Sequence, residues 1–136
     1  MPSREQVREA VERHVRFWNE GDKDRWLENF APGCVVEDPV GTPPKPVTLA
    51  SWDVSHSEIG TTWLIHIERM IISGPEALVL LRTEATIDGR TYDMEYAGNW
   101  TVDDEGRITH ARIFIEVPES DLRAQPEYRE YEEGRL

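Results

Sequence analysis

The sequence predicts an α+β domain in which N-terminal helices pack on the concave face of a curved, mainly antiparallel sheet. Three observations predict it. Apolar residues follow i, i+3, i+4 spacing from Val7 to Phe30. From Trp63 onward the period changes from 3.6 to 2. Turn residues then divide the second half into four long segments rich in β-branched and aromatic side chains. Helices followed by a run of strands is an α+β order, and a sheet bending round helices leaves an apolar cone between them.

Each element has a local reason. Ser3 and Gln6 have capping-box spacing, so the first helix starts near residue 3. Its apolar stripe is Val7, Ala10, Val11, His14, Val15, Phe17 and Trp18, and Gly21 suits its end. Asp22 can cap a second helix carrying Trp26, Leu27 and Phe30, stopped by Pro32 and Gly33. Cys34, Val35 and Val36 read as a short strand running into Glu37, Asp38 and Pro39. Gly41 to Pro46 holds three prolines and reads as a loop. A third helix is expected from about Thr48 to Glu58, with Leu49, Trp52 and Ser55 or His56 on one face. The strands are expected at Trp63–Ile72, Ala77–Ile87, Arg90–Val102 and Arg107–Val117, as an antiparallel meander with Asp88-Gly89 as a hairpin turn. Residues 1–117 form one domain. Residues 118–136, with six acids and three arginines, read as an acidic tail.

Composition narrows the function classes. The chain has 136 residues, 15 Lys+Arg and 27 Asp+Glu, for a formal charge of −12. That charge opposes an electrostatic grip on nucleic acid or an anionic membrane. No apolar run approaches the roughly 20 residues that span a bilayer, and the charged start MPSREQVREAVERH lacks the apolar stretch of a signal peptide. A soluble, cytoplasmic protein is the expectation. The single cysteine, Cys34, excludes an internal disulfide and any multi-Cys zinc site. No His pair has HxH or HxxxH spacing, so no metal site is expected.

Three sets of residues can carry chemistry. Asp38 is held in an extended backbone by Pro39, and beside an apolar cavity its carboxylate would act as a general base. Val35 and Val36 are both apolar, so alternation alone leaves the inward face undecided, and Asp38 can equally cap the loop turn. His14 lies on the apolar stripe of the first helix, where a buried imidazole needs a partner. It reads either as a satisfied core histidine or as a donor to a substrate oxygen. Met94, Tyr96, Gly98 and Trp100 share one strand face. Gly98 leaves a gap in that row, for a ligand or for another side chain. The row reads as core or as ligand surface, with Trp18, Trp52 and Trp63 as further lining. His66 is expected on the outer sheet face, His110 in solvent beside Arg112, and His56 near the cavity mouth.

The string FWNEGDKDRWLENFAPGCVVEDPVGTPP, from Phe17 to Pro44, resembles the ketosteroid isomerases within the NTF2-like or SnoaL-like superfamily. Asn19, Gly21, Asp22, Phe30, Val36, Asp38, Pro39, Val40 and Gly41 carry the match. LLRTEATIDGRTYDMEYAGNWTVDDEGRI resembles the family's sheet. The resemblance covers roughly residues 3–117 and is poor over 45–62. It implies a cone-shaped NTF2-like fold, usually dimeric through the outer sheet face, and a homodimer is expected here. It implies Asp38 as the base that moves a proton next to a carbonyl. The family's helix-borne oxyanion Tyr falls at His14, and its sheet Asp falls at Gly98, so neither donor is retained. Tyr96, two residues away on the same face, is the candidate replacement. The implied function is cofactor-independent isomerisation of a hydrophobic steroid- or polyketide-like ketone. A polyketide cyclase, dehydratase or hydrolase using the same residues is the alternative, and a non-catalytic binding module is another.

Overall fold

The computed structural model describes residues 1–49, 52, 56, 62–87 and 89–116. Helix α1 spans Arg4–Glu20 and opens on the expected capping box. Ser3 Oγ accepts from the Gln6 amide at 3.1 Å, and the Ser3 amide donates to Gln6 Oε1 at 2.8 Å. Val7, Ala10 and Val11 are fully buried, as the stripe requires. Gly21 ends the helix at φ 69°, in the left-handed region where a side chain is costly. Asp22 then caps α2, Lys23–Glu28, through Oδ1 and the Arg25 amide.

Six strands form one sheet: β1 Phe30–Glu37, β2 Lys45–Pro46, β3 Thr62–Ser73, β4 Glu76–Ile87, β5 Arg90–Val102 and β6 Ile108–Phe114. Their order is β2-β1-β6-β5-β4-β3. The meander β3-β4-β5-β6 is antiparallel throughout. Strands β4 and β5 pair as far as Ile87 opposite Arg90, and Gly89 takes φ 75° in the turn. Asp103 organises the next turn, its Oδ1 accepting from the amides of Glu105 and Arg107. Register shifts in β1 (between Phe30 and Val35), in β3 (between Ile67 and Arg69) and in the β5–β6 pairing (opposite Thr101 and Val102) are the irregularities that curve a sheet.

Four expectations are corrected. The strand expected at residues 34–36 starts at Phe30 and pairs parallel with β6, because Pro32 and Gly33 sit in the bulge instead of ending the chain segment. The loop 41–46 contains the two-residue strand β2, since Lys45 and Pro46 lie antiparallel against Val36 and Val35. The last strand stops at Phe114, short of Val117. The third helix begins as a 3₁₀ turn at Val47–Leu49. Trp52 and His56 are helical, and the rest of that helix lies outside the described residues, as do Asp88 and the acidic tail 118–136. Among the described residues, no helix is long and apolar enough to cross a membrane.

Helix α1 crosses the concave face and is fastened at two points along its length. Near its C-terminus, Asn19 Nδ2 donates to the Ile65 carbonyl and Asn19 Oδ1 accepts from the Ile65 amide, both at 2.8 Å. Trp18 Nε1 donates to the Trp63 carbonyl at 3.0 Å. The exposed edge of β3 is thereby paired with the helix instead of left open. Further back along α1, Arg13 donates to Asn29 Oδ1 and to the Gly106 carbonyl, while Asn29 Nδ2 donates to the Ala10 carbonyl. Between these two clamps, helix and sheet are held apart by side chains, and a cavity remains.

Candidate active site

Parity along β1, undecided in the sequence, is settled by what each side chain meets. Glu37 points to the outer face, where its Oε2 accepts from Arg112 Nε at 2.8 Å and lies 3.0 Å from His110 Nε2. Val36 is buried on the inner face, and Asp38, two residues on, lines the cavity. The Asp38–Pro39 peptide is cis. The chain after it is anchored at once: the Val40 amide donates to the Ile113 carbonyl at 2.7 Å, and Thr42 Oγ1 donates to the Pro39 carbonyl at 2.6 Å. Asp38 therefore sits on a fixed turn, not on a free loop.

The cavity measures about 350 Å³ and lies between α1, α2 and the inner sheet face. His14, Trp18 and Trp26 wall it from the helices, and Trp63, Met94, Tyr96 and Trp100 from the sheet. Its walls are mostly apolar. Among the described residues lining it, Asp38 is the sole carboxylate, and no Lys or Arg joins it.

His14 has one ring nitrogen committed. Trp26 Nε1 donates to His14 Nδ1 at 3.0 Å, which makes Nδ1 the acceptor and places the ring proton on Nε2. Phe30 packs edge-on to the ring at 5.9 Å, and Trp100 lies at 5.3 Å. Burial among these aromatics holds the imidazole down to about 4, so His14 is neutral at pH 7. This neutral ring is part of the cavity wall.

Tyr96 brings a phenol to the same cavity wall. Burial first, and then the negative charge of Asp38, push its phenol up to about 12, while the Thr83 hydroxyl pulls the other way. The phenol stays protonated at pH 7. Asp38 and Tyr96 both line the cavity.

The SnoaL-like domain family matches residues 11–111. The chain belongs to that family. Solved structures with the same fold include the epoxide hydrolase/cyclase-like enzyme SalBIII of salinomycin pyran ring formation, at TM-score 0.76 and 24% identity, covering 86% of this chain and 95% of that one. The Δ5-3-ketosteroid isomerase from Mycobacterium sp. matches at TM-score 0.67 and 25% identity, covering 82% and 93%. Rv0760c from Mycobacterium tuberculosis, in complex with estradiol-17β-hemisuccinate, matches at TM-score 0.69 and 20% identity, covering 82% and 95%. No curated protein matches the chain significantly.

Within this SnoaL-like domain, seven of the nine residues singled out in the sequence face one cavity: Asp38, His14, Tyr96, Trp18, Trp63, Met94 and Trp100. Trp52 and Gly98 do not line it. Trp52 packs 5.2 Å from Trp18 and 5.0 Å from Trp26, with His56 stacked on it at 3.8 Å. Gly98 is covered by the indole of Trp100. His56 is also not at the cavity wall, since its ring nitrogens meet the carbonyls of Trp52 and Trp18. His66 is on the outer face, 3.5 Å from Glu84, and His110 is there too, bonded to Glu37 instead of simply solvated. Among the described residues no group of three His, Cys, Asp or Glu is placed to hold a metal.

Sequence reading missed two polar participants, Trp26 and Thr83. Trp26 had a signal: a buried indole N–H needs an acceptor, and His14 is the polar member of the facing stripe. Thr83 interrupts the buried row Val79, Leu81, Thr83, Ala85 of β4, and such a hydroxyl at 5% exposure marks a polar contact.

Proposed function

We propose that the cavity binds a hydrophobic, ring-containing ketone and that Asp38 moves a proton between two of its carbons without a cofactor. The Asp38 carboxylate takes the proton from the carbon next to the carbonyl. The C–H electron pair becomes the enolate, and the negative charge collects on the ketone oxygen. His14 Nε2–H and the Tyr96 hydroxyl donate to that oxygen. Asp38 then returns the proton to a carbon further along the conjugated system, and the double bond has shifted. The supporting observation is that one carboxylate and two neutral donors face a single apolar cavity. In such surroundings hydrogen bonds to a developing oxyanion are strong, and each contributes about 3–4 kcal/mol to the transition state.

Two features differ from a two-donor site built on helix Tyr and sheet Asp. The helix donor is an imidazole, and the sheet position is Gly98 under Trp100. That second feature favours, as the other reading, a cyclase, dehydratase or hydrolase in which Asp38 and His14 act on neighbouring atoms. An open cavity of about 350 Å³ weighs against a module whose interior is filled by its tryptophans.

The test is a spectrophotometric assay with a β,γ-unsaturated ketosteroid, run beside Asp38→Asn. The conjugated product absorbs in the ultraviolet. Expected is turnover that drops by about 10²–10⁴-fold in Asp38→Asn. Turnover unchanged by that substitution refutes Asp38 as base. A product that has gained or lost water in place of a shifted double bond selects the second reading.

A further inference from the structure

The inward row of β5 places the smallest residue two positions before the largest. Gly98 lies opposite Val79 on β4 and Ile113 on β6 in the ladder. Without a side chain at 98, the sheet floor has a gap between those two. The Trp100 ring fills it. A Cβ built on Gly98 would collide with Cη2 and Cζ3 of Trp100 and lie 2.9 Å from Cζ2. The six-membered edge of the indole therefore rests directly on the Gly98 backbone. The ring also packs against the His14 ring, their centres 5.3 Å apart. Trp100 is 1% exposed yet contributes to the cavity wall.

We infer that Trp100, seated on Gly98, limits the depth of the cavity and so sets the size of ring system the site accepts. This rests on the reading that a hydrophobic ring ketone occupies the cavity. Two substitutions act on it in opposite directions. Shortening Trp100 adds the space between Val79, Gly98, Ile113 and His14 to the cavity. Adding a methyl at Gly98 lifts the indole off the sheet, and the cavity narrows. The second effect exists only while Trp100 is present, so the two substitutions are coupled.

The experiment measures calorimetric binding of cyclic ketones with one, two, three and four fused rings to the full chain. Wild type, Trp100→Phe, Trp100→Leu, Gly98→Ala and the double variant Gly98→Ala/Trp100→Leu are compared. Expected in Trp100→Leu is a gain of about tenfold for the four-ring relative to the one-ring ketone, with Trp100→Phe between it and wild type. Gly98→Ala loses about tenfold for the four-ring ketone and melts at lower temperature. The double variant returns to the Trp100→Leu profile within about twofold and regains melting temperature. If Gly98→Ala does not fold, recovery of folding in the double variant reads the same coupling. Affinities that change equally for all ring sizes, or effects of the two sites that add, overturn the inference while leaving the ligand reading intact. A wild type that binds none of the series overturns both.

Discussion

Replacing His14 by Gln should flatten the acid side of the stability profile. The imidazole ordinarily titrates at 6.5, and burial against Trp26, Phe30 and Trp100 holds it down to about 4. Above pH 6.5 neither the folded nor the unfolded chain protonates it, and it costs nothing. As pH falls below 6.5 the unfolded chain takes up a proton that the folded chain refuses. Stability then falls by about 1.4 kcal/mol per pH step until the folded form titrates near 4. Between pH 7 and pH 5 the loss from this one residue is about 2 kcal/mol. Gln at position 14 does not titrate, and its amide oxygen can still accept from Trp26 Nε1. Urea unfolding followed by tryptophan fluorescence at the two pH values gives the comparison. The wild-type loss should exceed that of His14→Gln by about 2 kcal/mol, every other group cancelling in the difference. Equal losses in the two proteins would refute a buried neutral imidazole, and with it the assignment of Nε2 as a neutral donor.

Other consequences follow from the same contacts. If Tyr96 donates to the oxyanion as proposed, Tyr96→Phe should lower kcat in the isomerase assay by about 10²–10³-fold while the urea midpoint holds. With the Tyr96 phenol pushed up to about 12, the wild-type rate should show no loss from this group as pH rises to about 10. Asn19→Ala strips the Ile65 amide and carbonyl of their partners at the β3 edge, and chemical unfolding should register about 1–3 kcal/mol of lost stability. On the outer sheet face, Ile71 lies opposite Leu78, and Leu80, Ala97 and Phe114 continue across the strands, with Leu78 and Leu80 about half exposed. A second copy covering this face would give a sedimentation mass of two chains, reduced to one by Leu80→Arg.

The meander was legible because its information is local. Alternation in β3, β4 and β5, each at least twelve residues long, is a strong period-2 signal, and Gly74-Pro75, Asp88-Gly89 and Asp103–Gly106 mark where each strand must turn. The parallel pairing of β1 with β6 was not legible. Those strands lie more than 70 residues apart, and Pro32 and Gly33 in the bulge read locally as an end. The inward face of Asp38 needed the same long-range partner. Only when His110 and Arg112 draw Glu37 to the outside does Asp38 fall inside. Gly98 was recognised as a gap in the right row, but spacing cannot say whether a ligand or a neighbour fills it. Trp52 was placed on the correct helix, yet helical spacing gives a face and not a depth, and Trp18 and Trp26 stand beside it at the wall.

Two of the tryptophans that wall this apolar cavity spend their N–H groups inside the protein. A buried indole brings a donor that must be satisfied. Trp18 spends its N–H on the Trp63 carbonyl, outside the chemistry, and so fixes the helix to the sheet. Trp26 spends its N–H on His14 Nδ1, and so decides which nitrogen keeps the proton. Each bond gives a buried indole N–H the acceptor it needs. Trp26→Phe separates these roles. It preserves an aromatic wall but releases Nδ1, so both tautomers of His14 become accessible. The nitrogen-15 shifts of the His14 ring should then change from a single Nε2–H form to a mixture. A ring that keeps the Nε2–H form in Trp26→Phe would mean that something other than the indole sets the tautomer.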